Sequence, residues 1–172
     1  SSVELFQIDL THKIDKINIS GPIDYVYHLA AINGTELFYK IPYEVARTNM
    51  LVTINLLDWL EKIYVDRIIY TSTSEVYGDP LVHPQSEDYY GNVNTIGPRG
   101  VYDEAKRFQE SITMAYHRFH GLETRIARIF NTYGPRMHPN DGRVVSNFIV
   151  QALQDLDITI YGDGSQTRSF CY

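Results

Sequence analysis

Two short segments carry side chains that could remove a proton and a hydride from an alcohol. Residues 70–78 predict a buried strand that ends in the hydroxyls of Thr73 and Ser74 and the carboxylate of Glu75. Further on, Tyr102 and Lys106 lie one turn apart on the same face of a predicted helix. We expect the Lys106 ammonium to favour the phenolate and so to lower the pKa of Tyr102 towards neutrality. An ionised phenol takes the hydroxyl proton, and a second hydroxyl holds the substrate oxygen in line.

The tyrosine and the lysine alone are weak support for this chemistry. The chain contains 14 Tyr in 172 residues, so a chance pair at this spacing is common, and a surface tyrosine beside a solvated lysine is the plainer interpretation. The context favours the functional interpretation. Apolar residues follow at helical spacing from Ala105 to Phe119, and Gly121 is a plausible helix end. Thr73 ends a predicted strand, which is where open α/β sheets build their sites.

Composition describes an ordinary globular chain. The 172 residues are 44% apolar and carry a net charge of −6, so we expect a real core and no nucleic-acid partner. The sequence has no long apolar run and no signal peptide at its start. The lone Cys171 fits a reducing compartment, and we expect a cytoplasmic protein. Neither this cysteine nor the six His form a metal-ligand grouping, so no metal site is predicted.

Strand-like and helical patterns alternate along the chain. We predict strands at 3–10, 24–31, 67–73, 124–130 and 158–161, and helices at 43–63, 102–120 and 143–153, the last beginning at Asp141 and Gly142. Residues 79–101 form a long loop rich in Pro and Gly, and a loop of this length is usually functional. The alternation predicts an α/β fold with a parallel sheet and flanking helices.

Several segments, in this order, resemble the extended short-chain dehydrogenase/reductase family of NAD-dependent sugar-nucleotide epimerases, dehydratases and decarboxylases. They are His28-Leu29-Ala30-Ala31, Thr73 with Tyr102-x-x-x-Lys106, residues 128–136 and residues 161–170. The resemblance covers essentially the whole chain, and the ordered set is far more specific than any one motif. It implies a Rossmann-like, doubly wound parallel sheet with NAD as cofactor and a UDP-sugar as substrate.

The resemblance also implies a role for individual residues. The catalytic residues would be Thr73, Ser74, Glu75, Tyr102 and Lys106. The cofactor would contact Asp9, Leu29, Ala30, Ala31, Asn49, Thr71, Tyr102, Lys106 and Ile129. The UDP-sugar would contact Asn131, Arg136, Arg143, Val144, Tyr161, Gln166 and Arg168.

Physical chemistry supports some of these roles and leaves alternatives open. Guanidinium groups suit diphosphate oxygens and the Tyr161 ring suits uracil, yet each arginine could be a solvated surface residue. Arg143 could simply begin its helix, and Asn131 could cap the loop after its strand. Glu75 could be a strand-end carboxylate bonded to backbone amides.

Within the family, three segments are most similar to the UDP-glucuronate decarboxylases. They are Thr73-Ser74-Glu75, where 4,6-dehydratases typically carry Thr-Asp-Glu, residues 83–99, and residues 136–148. The implied reaction oxidises C4 of the glucuronosyl ring, loses CO₂ from the resulting β-keto acid and reduces the ketone again. Ser74 and Glu75 would handle protons at C5 or promote loss of the carboxylate. A 4-epimerase needs only Thr73, Tyr102 and Lys106, so that function stays open, as do a 4,6-dehydratase and a non-catalytic relative.

One feature of the family is missing from this sequence. No Gly-x-x-Gly-x-x-Gly turn follows a strand, and that turn presents backbone N–H groups to the NAD pyrophosphate. The strand at 3–9 resembles the family's third strand, with Asp9 near the adenine. We therefore expect residues 1–172 to be a partial NAD-binding domain, with nucleotide-sugar segments from about 131 onward. It lacks the N-terminal β-α-β unit and the C-terminal substrate region.

The same resemblance predicts how the missing parts affect assembly. In the strand order 3-2-1-4-5-6, the strand at 3–9 would lose its usual partners, whereas the next three strands could still pair. The family's usual homodimer would pack the helices at 43–63 and 102–120.

Overall fold

Three parallel strands form the centre of the molecule. The structure is a computed structural model that describes residues 3–15, 17–19, 21–140 and 142–172. Strands β1 (Ile23–His28), β2 (Val65–Thr73) and β3 (Thr124–Ile129) pair in the order β1-β2-β3. The predicted parallel α/β sheet is confirmed. Because the strands are parallel, their carboxyl ends meet at one edge of the sheet.

Helices connect these strands and follow them. They are α1 (Thr35–Lys40), α2 (Pro42–Leu60), α3 (Gly100–His120) and α4 (Val144–Leu153). Helices α2 and α3 pack against each other, and α3 ends as predicted at Gly121, which adopts a left-handed φ of 69°. Helix α1 was not predicted, and the predicted start of α4 at Asp141 lies outside the described residues. Within the described residues, no helix is long and apolar enough to cross a bilayer.

The core lies between the sheet and the α2–α3 pair. Alternate residues of β2 point towards these helices, so that Ile68 and Tyr70 are buried. Ile68 joins a cluster with leucines of α2 and with Leu122, which follows α3. On the opposite face of β1, Tyr25 and Tyr27 are 55% and 62% exposed. Burial of each core leucine stabilises the fold by roughly 2 kcal/mol, which makes the sheet and the two helices a rigid base for the site.

Two predicted strands are wrong. Residues 3–9 have no regular secondary structure, which agrees with the expected loss of their sheet partners. Residues 158–161 are also irregular, because the backbone N–H of Thr159 donates to the side-chain Oε1 of Gln151 instead of joining a sheet. A short pair forms elsewhere, between β4 (Asn131–Thr132) and β5 (Phe170–Cys171). This pair ties the segment after β3 to the chain end that carries Arg168.

Candidate functional site

A cavity of about 790 Å³ lies at the carboxyl ends of the three strands. Most of the residues predicted to act in catalysis or binding line it together. They are Leu29, Ala31, Thr71, Thr73, Ser74, Glu75, Tyr102, Lys106, Ile129, Asn131, Arg143, Val144, Tyr161 and Arg168. The structure therefore brings most members of the three predicted sets, catalytic, cofactor-binding and substrate-binding, to one place.

Tyr102 occupies the inner wall of this cavity. It is 5% exposed, and its ring stacks on the ring of Phe38 in α1 with 4.4 Å between centroids. Burial raises the pKa of Tyr102, while a hydrogen bond with the Thr73 hydroxyl and the charge of Arg143 oppose the rise. The charge of Glu75 adds to it. In this arrangement the phenol keeps its proton at neutral pH.

Lys106 lies one helical turn further along α3. Its Nζ donates to the carbonyl oxygen of Thr71 at 3.1 Å and lies 5.1 Å from the centroid of the Tyr70 ring. Burial lowers the pKa of Lys106 to about 8, although Glu110 opposes this shift. The expectation that Lys106 lowers the pKa of Tyr102 is not met here, because burial dominates and the tyrosine pKa is raised.

The end of β2 presents the remaining catalytic candidates on a 3₁₀ turn, Ser74–Tyr77. Thr73 caps this turn, since its Oγ1 accepts a hydrogen bond from the backbone N–H of Glu75 at 3.3 Å. The Glu75 carboxylate forms an ion pair with Arg99. Arg99 also lies over the Phe38 ring, 5.9 Å from its centroid. Glu75 is therefore held by a cation, and the alternative of a carboxylate held only by backbone amides does not apply.

A second cavity, of about 840 Å³, adjoins the first on the far side of this ion pair. Glu75 and Arg99 line both cavities. The other walls of the second cavity come from α3, through Asp103, and from the loop at 79–101, through Asn94 among others. The long loop predicted to be functional thus contributes directly to the site region.

Arg128 of β3 anchors that loop. Its Nε and Nη2 donate to the two carboxylate oxygens of Glu110 at 3.0 and 2.8 Å. Its Nη1 donates to the hydroxyl of Tyr77 at 2.9 Å and to the carbonyl of Glu87 at 3.0 Å. These bonds raise the pKa of Arg128, so it stays charged. One side chain therefore connects the sheet, α3, the 3₁₀ turn and the loop.

Five predicted binding residues do not line the first cavity. Asn49 is fully buried below it, where its side-chain amide accepts from the N–H of Ile32 at 2.7 Å and donates to the carbonyl of Ile32 at 3.0 Å. This bonding holds the segment after β1, whereas Asn49 itself, which was expected to contact the cofactor, does not line the cavity. The other four are exposed and do not line the cavity: Asp9, Ala30, Arg136 and Gln166. Asp9 bonds to Thr11 in a turn, and the other three lie within two residues of lining residues.

Three residues of the site region were not given a role from the sequence. Phe38 belongs to a six-residue helix whose only signal was an apolar pair before Pro42. Arg99 was noted only as part of the resemblance, although an arginine directly before the helix that carries Tyr102 indicates an ion pair with a nearby carboxylate. Asp103 follows Tyr102 in the sequence, and no sequence pattern indicates a role for it. Among the described residues, no group of three or more His, Cys, Asp and Glu is placed to hold a metal ion.

Comparisons with known proteins show which family and which relatives this chain is similar to. The family model described as NAD dependent epimerase/dehydratase family matches residues 1–172. UDP-glucuronic acid decarboxylase 6 of Arabidopsis thaliana is 57% identical over 151 residues, which are 87% of this chain and 43% of that protein. UDP-glucuronic acid decarboxylase 1 of Xenopus tropicalis is 53% identical over 150 residues, 87% of this chain and 35% of that protein.

A solved structure shows the same fold. UDP-glucuronic acid 4-epimerase from Bacillus cereus, in complex with NAD, superposes with a TM-score of 0.75 at 37% identity, covering 87% of this chain and 45% of that one. The chain thus spans less than half the length of each of these relatives.

Proposed function

Since this chain belongs to the NAD dependent epimerase/dehydratase family, we propose that the full-length protein decarboxylates UDP-glucuronate to UDP-xylose, with NAD as cofactor. One observation carries the proposal. The hydroxyls of Thr73 and Tyr102 line the same cavity as the Glu75 carboxylate, in a chain 57% identical to a UDP-glucuronic acid decarboxylase. The first pair suits oxidation of a hydroxyl, and the carboxylate suits chemistry at the neighbouring carbon.

The cavity fits the nicotinamide half of NAD. Apolar surface comes from Leu29, Ala31 and Ile129, at the ends of β1 and β3, and Leu29 is 70% exposed, so its surface is available to a ring. Lys106 lines the same cavity and can donate to ribose hydroxyls. When bound, NAD supplies the acceptor for a hydride from the sugar and later the donor that returns it. Donors for its pyrophosphate are expected in the glycine-rich turn that these 172 residues do not contain.

Tyr102 would take the proton of the sugar's C4 hydroxyl, and Thr73 would hold that oxygen. Because burial raises the pKa of Tyr102, cationic charge must come closer to the phenol before it can act as a base. Lys106 can supply that charge if its Nζ leaves the carbonyl of Thr71. Oxidation at C4 gives a ketone next to C5, the carbon that carries the carboxylate.

Loss of CO₂ then follows from the position of that ketone. The bond between C5 and the carboxylate carbon breaks, its electron pair moves to the C4 carbonyl as an enolate, and C5 later takes up a proton. Ser74 and Glu75 lie at the edge of the cavity where this proton would be handled. The negative charge of Glu75 also disfavours a second carboxylate nearby and so favours its departure.

The nucleotide end would lie against the far wall of the cavity. Arg143 and Arg168 line it and suit the diphosphate. Tyr161, which lines the same wall and is 74% exposed, offers its ring to the uracil. The domain extent and a homodimer are parts of this proposal that the family resemblance supports, and a cytoplasmic location is a part that the single cysteine supports.

Product analysis tests the reaction. Full-length enzyme is incubated with NAD and UDP-glucuronate labelled with ¹³C at C6, and products are identified by NMR. UDP-xylose with labelled CO₂ is the expected result. UDP-galacturonate without CO₂ would establish a 4-epimerase, which is the second candidate because of the solved epimerase with this fold. No conversion of any nucleotide sugar would leave a non-catalytic relative.

Kinetics test the residue at the centre of the proposal. Tyr102→Phe should lower turnover by about 10²–10⁴-fold, the usual contribution of a positioned acid–base group, with little change in substrate binding. Tyr64→Phe is the matched control, because Tyr64 is 69% exposed and lies just before β2, at the end of the sheet opposite the cavity. Near-normal turnover of Tyr102→Phe would remove Tyr102 from the reaction.

A further inference from the structure

Asp103 is a buried carboxyl group that the proposed reaction does not use. It lies in the first turn of α3, directly after Tyr102, and is 7% exposed. Its Oδ1 has no hydrogen-bond partner among the residues that the structure describes. Asp103 also lines the second cavity together with Glu75 and Arg99. A buried polar atom left without a partner is uncommon in folded proteins and points to a functional reason.

Negative charge exceeds positive charge around this group. Three carboxylates act on Asp103 from the 3₁₀ turn, the following loop and its own helix: Glu75, Asp79 and Glu104. The cation that acts on it is Arg99, whose guanidinium is already paired with Glu75. Burial, together with these carboxylates, raises the pKa of Asp103 to about 6, although Arg99 opposes the shift. The cluster therefore takes up a proton as the pH falls to about 6, and Asp103 is the member that carries it.

On the basis of the proposed function, we propose that Asp103 is a positioning residue that acts on Glu75 through Arg99. When Asp103 is protonated, it does not compete for Arg99, and the Arg99–Glu75 pair is kept. When Asp103 ionises, it competes for the same guanidinium and loosens the Arg99–Glu75 pair. Glu75 can then turn towards the sugar ring in the first cavity, which it also lines.

The effect on stability has a definite sign. An aspartate in an unfolded chain has a pKa of about 3.9, so the raised value means that the folded state binds more protons between about pH 4 and 6. Stability is therefore lost as the pH rises through that window, and the loss is complete above it. Asp103→Asn cannot ionise, so this part of the pH dependence should vanish in the variant.

The test uses the full-length enzyme, Asp103→Asn and a control, Glu123→Gln. Glu123 lies just before β3, at the opposite end of the sheet from the cavities, with a side chain 52% exposed and paired to Arg125 at 3.4 Å. Urea unfolding is measured from pH 4 to 7. Over that range, the unfolding equilibrium constant of the wild type should rise by roughly fiftyfold relative to Asp103→Asn. Glu123→Gln should follow the wild type.

The second measurement is the pH profile of turnover, with the nucleotide sugar that the wild type converts. The wild-type kcat should rise as the pH passes about 6. Asp103→Asn should lack this rise, with kcat at neutral pH about tenfold lower, as is common for residues that position a reacting group. KM should stay within about twofold, because Asp103 does not touch the substrate.

Each outcome decides the proposal. Equal pH dependence of unfolding in the wild type and Asp103→Asn would show that Asp103 does not hold the proton, whatever the enzyme converts. A changed unfolding profile with an unchanged kcat profile would show that Asp103 does not act on Glu75. Failure of the proposed function is seen separately, as wild-type enzyme that releases no CO₂. If the wild type converts no nucleotide sugar at all, the role of Asp103 in turnover is refuted with it.

Discussion

Gly78 lies where the 3₁₀ turn meets the long loop, and replacing it with alanine should disrupt both. Its backbone has φ 62° and ψ −132°, a conformation that residues with a Cβ rarely adopt. A Cβ on Gly78 would overlap the carbonyl oxygen of Asn92 and lie 2.8 Å from the Cα of Val93. The two segments are joined there by backbone hydrogen bonds, from Asp79 to Asn92 at 3.0 Å and from Asn92 to Tyr77 at 2.8 Å.

The structure sets the size of the effect. The unfavourable backbone conformation costs alanine about 1–3 kcal/mol. The overlap is with backbone atoms, so it is relieved only if the loop moves, which breaks two hydrogen bonds that contribute about 1 kcal/mol each. We therefore expect Gly78→Ala to lower the free energy of unfolding by about 3–5 kcal/mol, which is an exceptional loss for a single methyl group. Turnover should fall as well, because Ser74 and Glu75 lie on the same turn.

Urea unfolding of the full-length protein measures this loss, and Gly121→Ala is its matched control. Gly121 also has a positive φ, 69°, but a Cβ there meets nothing within 4 Å. Its replacement should cost only the left-handed conformation, about 1–2 kcal/mol. If the two variants lose the same stability, the close approach of turn and loop does not constrain the fold.

Two further predictions concern the loop anchor and the cofactor. Arg128→Met should lower the free energy of unfolding by about 3–5 kcal/mol, because it leaves the Glu110 carboxylate, 13% exposed, without its guanidinium; in urea unfolding, Arg128→Met with Glu110→Met should recover much of the loss, and no recovery would contradict the pairing. The 172-residue chain alone should bind NAD only weakly, because it contains no glycine-rich turn to face the pyrophosphate. Micromolar binding in calorimetric titration, by a sample shown to be monodisperse, would contradict this.

Much of the site could be predicted from the sequence because its main residues lie on regular elements. The apolar spacing of residues 102–120 predicts a helix, and the structure has one at Gly100–His120. Strand β2 was predicted from its apolar run, so Thr73 could be placed at a carboxyl end. The spacing of apolar residues and the residues that end an element are local signals. The fold contains the predicted element when tertiary packing agrees with those signals.

The remainder depends on contacts that leave no periodic signal. Arg99 and Glu75 are paired across 24 positions of an irregular loop, and nothing in the sequence tells which carboxylate an isolated arginine will meet. The apolar alternation at 158–161 is typical of a strand, yet a strand forms only beside a neighbouring strand whose edge is unpaired. The side chain of Gln151 satisfied the backbone of Thr159 instead. Charge partners and edge strands are decided by tertiary structure.

The pair that first suggested the chemistry, Tyr102 and Lys106, shows this difference most directly. Their spacing places both on one face of α3, but spacing does not reveal how deeply each is buried. Burial raises the pKa of the phenol and lowers that of the ammonium to about 8, so both shifts favour the uncharged forms. The cavity thus opposes the phenolate–ammonium pair that oxidation of an alcohol requires. Tyr102 becomes a base only when positive charge moves closer to it, and Lys106 and Arg143 are two of the cations lining the same cavity that can supply that charge.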